Sequence, residues 1–250
     1  MNQLPLLDYD THGDPTKPPF LLLHAGGMTK HEWDAFIPTW SQHFYLVIPS
    51  ALAHGASPNV QRFSINSMAD SVLALLDHLK IERVHLIGSS MGGAIALWLA
   101  LTVPQRIDKL IVFRTSYRSS TMVHAGVLRM AEPETWRQWR LDGWMRQQHL
   151  PQGGEEAWIT VTQKVAAAFD PATTDHAHDL GDLATIQHPT LLITGDRDNV
   201  VPLEDMVDMY RTIPNAALWV MPNATHFMGT EGWRRDAFEQ EILRFLRQRR

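Results

Sequence analysis

The chain predicts an α/β fold, a mostly parallel central sheet with helices on both faces and an inserted helical segment. Three observations predict it. Short continuous apolar runs such as Phe20-Leu21-Leu22-Leu23 and Phe44-Tyr45-Leu46-Val47-Ile48 have the composition of strands buried on both faces. They alternate with amphipathic stretches of helical length, the rhythm of strand–helix–strand units. That rhythm stops near Thr115 and resumes near Thr190, so residues 1–114 and 186–250 read as one core and 115–185 as a helical cap inserted into it. With 250 residues, 44% of them hydrophobic, the chain is long enough for one large core.

In chain order, Leu4 to Thr11 is apolar and extended, and Gly13-Asp14-Pro15 with Pro18-Pro19 break it before the strand Phe20 to Leu23. The glycine-bearing loop His24-Ala25-Gly26-Gly27 follows. A short helix is expected around His31 to Trp40, then a strand from Phe44 to Ile48 stopped by Pro49. Ser64 caps a helix whose Ile65, Met68, Ala69, Val72, Leu75, Leu76 and Leu79 share one face. A strand beginning at Val84 runs directly into a helix from about Met91 to Thr102, and Ile107 to Phe113 is a further strand. After the insertion come a strand (Thr190 to Thr194), a helix (Leu203 to Thr212), a strand (Ala217 to Met221) and a last helix from about Trp233. Its terminal Arg247, Arg249 and Arg250 complement the helix dipole.

Gly88-Ser89-Ser90-Met91-Gly92 is a Gly-x-Ser-x-Gly turn of the nucleophile-elbow type. A serine raised on so sharp a turn brings neighbouring backbone close, so the positions two residues to either side must lack bulk. The helix that follows aims its N-terminal N–H groups at any oxyanion formed there. Ser90 is therefore the candidate nucleophile. A serine hydroxyl is weak near neutral pH and needs an imidazole to take its proton and a carboxylate to orient that imidazole. Both are expected on loops after later strands, which gives His226 as the base and Asp196 or Asp198 as the acid.

With these three motifs in the order Ser90, Asp198, His226, the chain resembles the α/β-hydrolase superfamily over nearly its whole length. The resemblance implies Asp198 as the acid, because it stands four residues before Pro202. It also implies an oxyanion hole built from the backbone N–H groups of Gly26 and Met91, each donor of this kind being worth on the order of 10²–10³ in rate. Ala25 stands where the family usually carries glycine, so Gly27 and Met28 compete with Gly26 as donor. His24 is expected to support that loop. The family's Pro-Asp-x-x-Gly-His-Gly-x-Ser appears here as Pro49 to Ser57 with Ser50 in place of the aspartate, which changes the polarity expected near the pocket. A serine nucleophile weighs against the haloalkane dehalogenase and epoxide hydrolase branches, which would require aspartate there.

In the cap, Trp136, Arg137, Arg140 and Trp144 share an arc of roughly 100° if Pro133 to Gln148 is helical. Tryptophan beside arginine can line a pocket for an acyl chain that ends in a carboxylate or phosphate. The competing expectation buries the tryptophans and lets the arginines reach water. Arg114, Arg118 and Arg129 add to the basic character of this region. Asp175-His176-Ala177-His178-Asp179 reads as a solvated polar stretch rather than a metal site.

The expected activity is carboxylic-ester hydrolysis through an acyl-enzyme, with no metal or organic cofactor. The size and the arginine-bearing cap look similar to the pimeloyl-carrier-protein methyl ester esterases of biotin synthesis, which would make an acidic acyl carrier protein a partner. The other expectations are a generalist short-acyl esterase on small-molecule esters, a carbon–carbon bond hydrolase using the same triad, and a non-catalytic receptor that keeps the pocket. A net charge of −5 gives no basic field for nucleic acid or an anionic membrane. Zero cysteines remove disulfides and thiolate chemistry and fit a reducing compartment. Without a signal-like or spanning segment, the chain reads as cytoplasmic. Nothing in the sequence fixes the oligomeric state.

Overall fold

The computed structural model describes residues 5–227 and 233–248; Leu4, Arg249 and Arg250 lie outside them. Seven strands form one sheet: β1 (Tyr9–His12), β2 (Pro19–Leu23), β3 (Tyr45–Pro49), β4 (Val84–Ser89), β5 (Ile107–Phe113), β6 (Thr190–Gly195) and β7 (Ala216–Met221). Their spatial order is β1-β3-β2-β4-β5-β6-β7. Among the described strand pairs of the sheet, β1–β3 is antiparallel and the others are parallel. The extended start of the chain enters the sheet only at Tyr9, later than its apolar composition suggested.

Both faces of the sheet are buried, and the period of two sorts the side chains between them. Leu21 and Leu23 of β2, with Leu110 and Val112 of β5, belong to one core cluster. Phe20 and Leu22, with Ile111 and Phe113, belong to the other. The first cluster is completed by α2 (Ile65–His78), α3 (Met91–Thr102) and α9 (Leu203–Thr212). The second is completed by the 3-10 helix Lys30–Phe36, the short α1 (Ile37–Trp40) and α10 (Trp233–Arg247). The expected His31-to-Trp40 helix is thus split, the stretch up to Phe36 winding more tightly than an α-helix.

Ser64 begins α2 by accepting the Ser67 N–H, while Ser67 returns a bond to the Ser64 N–H. Asp175 accepts the next two amides, Ile65 N–H at 3.0 Å and Asn66 N–H at 2.9 Å, so this acidic residue caps a helix. No group of His, Asp and Glu able to hold a metal occurs among the described residues. Nor is any described helix long and apolar enough to cross a membrane.

Between β5 and β6 the chain forms α4 (Thr121–Ala131), α5 (Pro133–Gln138), α6 (Asp142–His149), α7 (Ala157–Ala168) and the short α8 (Leu180–Leu183), and among the described residues it adds no strand to the sheet. α5 and α6 are separate helices: Arg140 adopts a left-handed backbone with φ of 57° and turns the chain between them. The single arc expected for Trp136, Arg137, Arg140 and Trp144 therefore does not exist.

Candidate active site

The carboxyl ends of parallel strands open onto loops whose backbone groups are not used by the sheet, which is where sites form in such folds. Ser90 follows β4, Asp198 follows β6 and His226 follows β7. Ser90 holds φ of 51° and ψ of −114°, a conformation that persists only where the surroundings enforce it. The glycines around it are required by space. A Cβ on Gly88 would stand 2.2 Å from the Gly92 carbonyl oxygen, and one on Gly92 would stand 2.3 Å from that of Leu23.

The three side chains expected to act together are in hydrogen-bond contact. His226 Nε2 lies 3.1 Å from Ser90 Oγ, and His226 Nδ1 lies 2.9 Å from Asp198 Oδ2. Asp198 Oδ1 also accepts the N–H groups of Val200 and Val201, each at 2.8 Å. Burial pushes the Asp198 carboxyl up, but His226 and those two amides outweigh burial and hold it below the usual carboxylate range. Asp196 is exposed and does not touch the histidine, so the choice between the two aspartates falls on Asp198.

The candidate oxyanion donors differ in whether their amides are already engaged. Ala25 N–H donates to Glu32 Oε2 at 2.6 Å, Gly27 N–H to His54 Nε2 at 3.2 Å and Met28 N–H to the Ala25 carbonyl at 3.0 Å. Gly26 N–H and Met91 N–H have no acceptor among the described residues, and both residues line the cavity beside Ser90. His24 supports the loop as expected. Ala51 N–H donates to its Nε2 at 2.8 Å, so its Nδ1–H donates to the Ala25 carbonyl, also at 2.8 Å. With that carbonyl held by two donors, the Ala25–Gly26 peptide plane is fixed and its N–H, antiparallel to the C=O, stays free.

Two more buried histidines grip the same loop, neither singled out by the sequence. His54 takes the Gly27 N–H, while His149, from the end of α6, donates from Nε2 to the Gly27 carbonyl at 2.8 Å and accepts the Gly55 N–H. Burial holds both imidazoles neutral, His149 lowered to about 4. Ser50 accepts the Lys30 N–H at 3.3 Å and thus helps build the loop scaffold; it does not line the cavity.

Beside Ser90 lies a narrow cleft walled by Val127, Met130, Trp136, Val165, Phe169 and Phe227. Of the four cap residues expected to bind substrate, only Trp136 lines it, buried with its Nε1–H donated to the Met130 carbonyl. Arg137 and Arg140 are exposed, the former facing Glu134 at 3.7 Å, and Trp144 packs half-buried behind Trp136. Arg114, grouped above with the basic residues of the cap region, is buried beside Ser90 and is the one permanently charged side chain among the described lining residues.

A serine on a strand-to-helix elbow, relayed through histidine to aspartate at the carboxyl edge of a parallel sheet, defines a class of α/β protein. A family model for the alpha/beta hydrolase fold matches residues 18–153, and the chain belongs to that family. It is 28% identical to the dihydrolipoyllysine-residue acetyltransferase component of an acetoin cleaving system from Pseudomonas putida, over 92% of this chain and 63% of that longer protein. It is 25% identical to 3-oxoadipate enol-lactonase 2 of Acinetobacter baylyi, covering 90% of this chain and 88% of the relative. A 2-hydroxy-6-oxo-6-phenylhexa-2,4-dienoate hydrolase of Burkholderia cepacia is 27% identical, with coverage of 90% and 86%. Among solved structures, a hydrolase from Pseudomonas aeruginosa superposes with a TM-score of 0.76 at 29% identity, over 96% of this chain and 94% of that one.

Proposed function

We propose that this protein is a serine hydrolase of small carboxylic esters or lactones. The observation that carries this reading is the continuous relay from Asp198 through His226 to Ser90 Oγ beside two unengaged backbone N–H groups. In the acylation step His226 Nε2 takes the Ser90 proton as Oγ attacks the carbonyl carbon. The oxyanion is held by Gly26 N–H and Met91 N–H. Collapse breaks the acyl C–O bond and His226 gives its proton to the alcohol or enol oxygen, which departs from an open ester and stays tethered to the acyl group of a lactone. Water then gives a proton to His226 and attacks the acyl-enzyme, and the second collapse returns the proton to Ser90 as the acid departs. Asp198 stays ionised throughout and stabilises the imidazolium. The apolar walls suit a hydrocarbon acyl or enol body. A lactone is a cyclic ester, so the likeness to an enol-lactonase supports this chemistry.

A second reading, hydrolysis of a carbon–carbon bond by the same triad, is favoured by the 27% identity to a dienoate hydrolase. The cytoplasm is the compartment proposed, in keeping with a chain of no cysteines. The deciding experiment measures kcat/KM of wild type and Ser90→Ala on five substrates. These are p-nitrophenyl butyrate, an enol lactone, a 2-hydroxy-6-oxo-dienoate, and a dicarboxylic methyl ester both free and carrier-linked. Ser90-dependent turnover of the esters or lactone supports the main reading. Preference for the dienoate would replace it with the second, and preference for the carrier-linked ester would narrow it to a biosynthetic esterase. Binding without turnover of any substrate would overturn both readings in favour of a receptor.

A further inference from the structure

Three loops of the site are joined behind it by one buried ion pair. Arg114, the first residue after β5, donates its Nε–H to Ser89 Oγ at 3.0 Å and its Nη2–H to Glu32 Oε1 at 2.8 Å, and Nη1–H donates to the His226 carbonyl. The other oxygen of Glu32 is the acceptor for Ala25 N–H. One guanidinium and one carboxylate therefore touch the elbow, the histidine loop and the oxyanion loop. The two side chains are 9% and 10% exposed, so bulk water hardly screens them. The backbone of Arg114 is left-handed, with φ of 46°, a conformation kept only where the surroundings over-determine it. The three acceptors lie in different directions, which suits the rigid fork of arginine and not the point charge of lysine.

We infer that Glu32 and Arg114 are a positioning pair for the Ser90 chemistry: they fix the elbow, the His226 loop and the Ala25–Gly26 peptide relative to one another while keeping net charge away from the triad. This rests on the hydrolase reading proposed above. Among the described residues, the charged groups facing His226 are Asp198 from the loop after β6, Arg114 from the loop after β5, and Glu32 behind Arg114 from the 3-10 helix. Ser90 and Phe227 are its uncharged neighbours. Removing one member of the pair therefore does two separable things. It loosens the loops, and it leaves an uncompensated charge beside the relay.

The test uses Arg114→Met, Arg114→Lys, Glu32→Gln and the double variant Glu32→Gln/Arg114→Met. Two readouts are taken: the rate at which a fluorophosphonate labels Ser90, and the pH profile of kcat/KM for p-nitrophenyl butyrate. Arg114→Met is expected to be labelled about 100-fold more slowly than wild type, with kcat reduced to match and KM within about twofold. Its acid limb moves to higher pH because the lone carboxylate stabilises the protonated relay, whereas that of Glu32→Gln moves to lower pH. The double variant leaves no buried charge unpaired, so it decides the question if a single variant does not fold. It returns the limb to the wild-type position while the rate stays low. Arg114→Lys keeps the charge and so recovers the limb without recovering the rate. Wild-type labelling rates in the double variant, or single variants whose limbs stay fixed or move together, would overturn the positioning role. Failure of the fluorophosphonate to label wild-type Ser90 would instead overturn the hydrolase reading, and the pair's role with it.

Discussion

Asp198 is held as an anion from two sides: Oδ2 faces the His226 ring at 2.9 Å, and Oδ1, itself 3.1 Å from the same ring nitrogen, accepts two loop amides. Replacing it by asparagine offers the ring an amide N–H where an acceptor is needed, which favours the wrong imidazole tautomer. Asp198→Asn is therefore expected to lower kcat by about 10³–10⁴ with little change in KM. Asp196→Asn, at an exposed side chain, is expected to stay within about twofold of wild type, and equal losses in the two variants would contradict the assignment. Ser90, Asp198 and His226, proposed as nucleophile, acid and base, could be picked out of the sequence because each lies on a short loop after a recognisable strand. Gly26 as oxyanion donor was expected by resemblance, with Gly27 and Met28 as competitors; what separates them is which amides are already engaged, and acceptors such as His54 come from other segments. Arg114 misled for a related reason: its partner lies 82 positions away, and only the fold shows that its charge is matched. One signal was available, its place directly after a strand at the carboxyl edge of the sheet.

Among the elements, strands and core helices were legible because burial imposes a period that composition reveals, and their ends differ from expectation by only a few residues. The cap was harder. Nothing in Pro133 to Gln148 announces that Arg140 takes a left-handed backbone, so one apparent amphipathic arc is two short helices, with Trp136 turned to the cavity and Arg137 and Arg140 to water. The cap nevertheless bears on the oxyanion loop through Val165 of α7. An added Cβ on Gly26 would stand 2.6 Å from Val165 Cγ1, although the Gly26 backbone is not in the left-handed region. Alanine thus fits the conformation at Gly26 and fails on contact alone. Gly26→Ala is expected to lower kcat by about tenfold or more by displacing the loop against α7. Removing the obstacle should reverse this: the double variant Gly26→Ala/Val165→Ala is expected to recover most of the rate. If Gly26→Ala is inactive with or without the second change, the loss lies in the loop's own conformation, and the proposed contact with α7 is wrong.

For the molecule as a whole, the same architecture makes stability depend on keeping several imidazoles neutral. His24, His54 and His149 join the loops after β2 and β3 to the end of α6, and in each ring one nitrogen accepts a backbone N–H that a proton would displace. Burial lowers the pKa of all three, His149 to about 4, and it lowers His176, at the foot of the cap, to about 3. In the unfolded chain these groups titrate near about 6.5. Below that pH the unfolded state binds more protons than the folded one, so stability is complete above about 6.5 and is lost as pH falls toward 4. Each proton in that difference contributes a slope of about 1.4 kcal/mol per pH unit. Asp198, whose pKa lies below its ordinary value, adds its own loss only at still lower pH. The urea midpoint is therefore expected to be flat from pH 8 to 7 and then to fall with a slope of more than one proton. His149→Gln should lessen that slope, since an amide can still accept from Gly55 and donate to Gly27 but cannot take up a proton. A midpoint that stays constant from pH 7 to 4.5, or a slope that His149→Gln leaves unchanged, would show that these histidines do not set the acid limit of the fold.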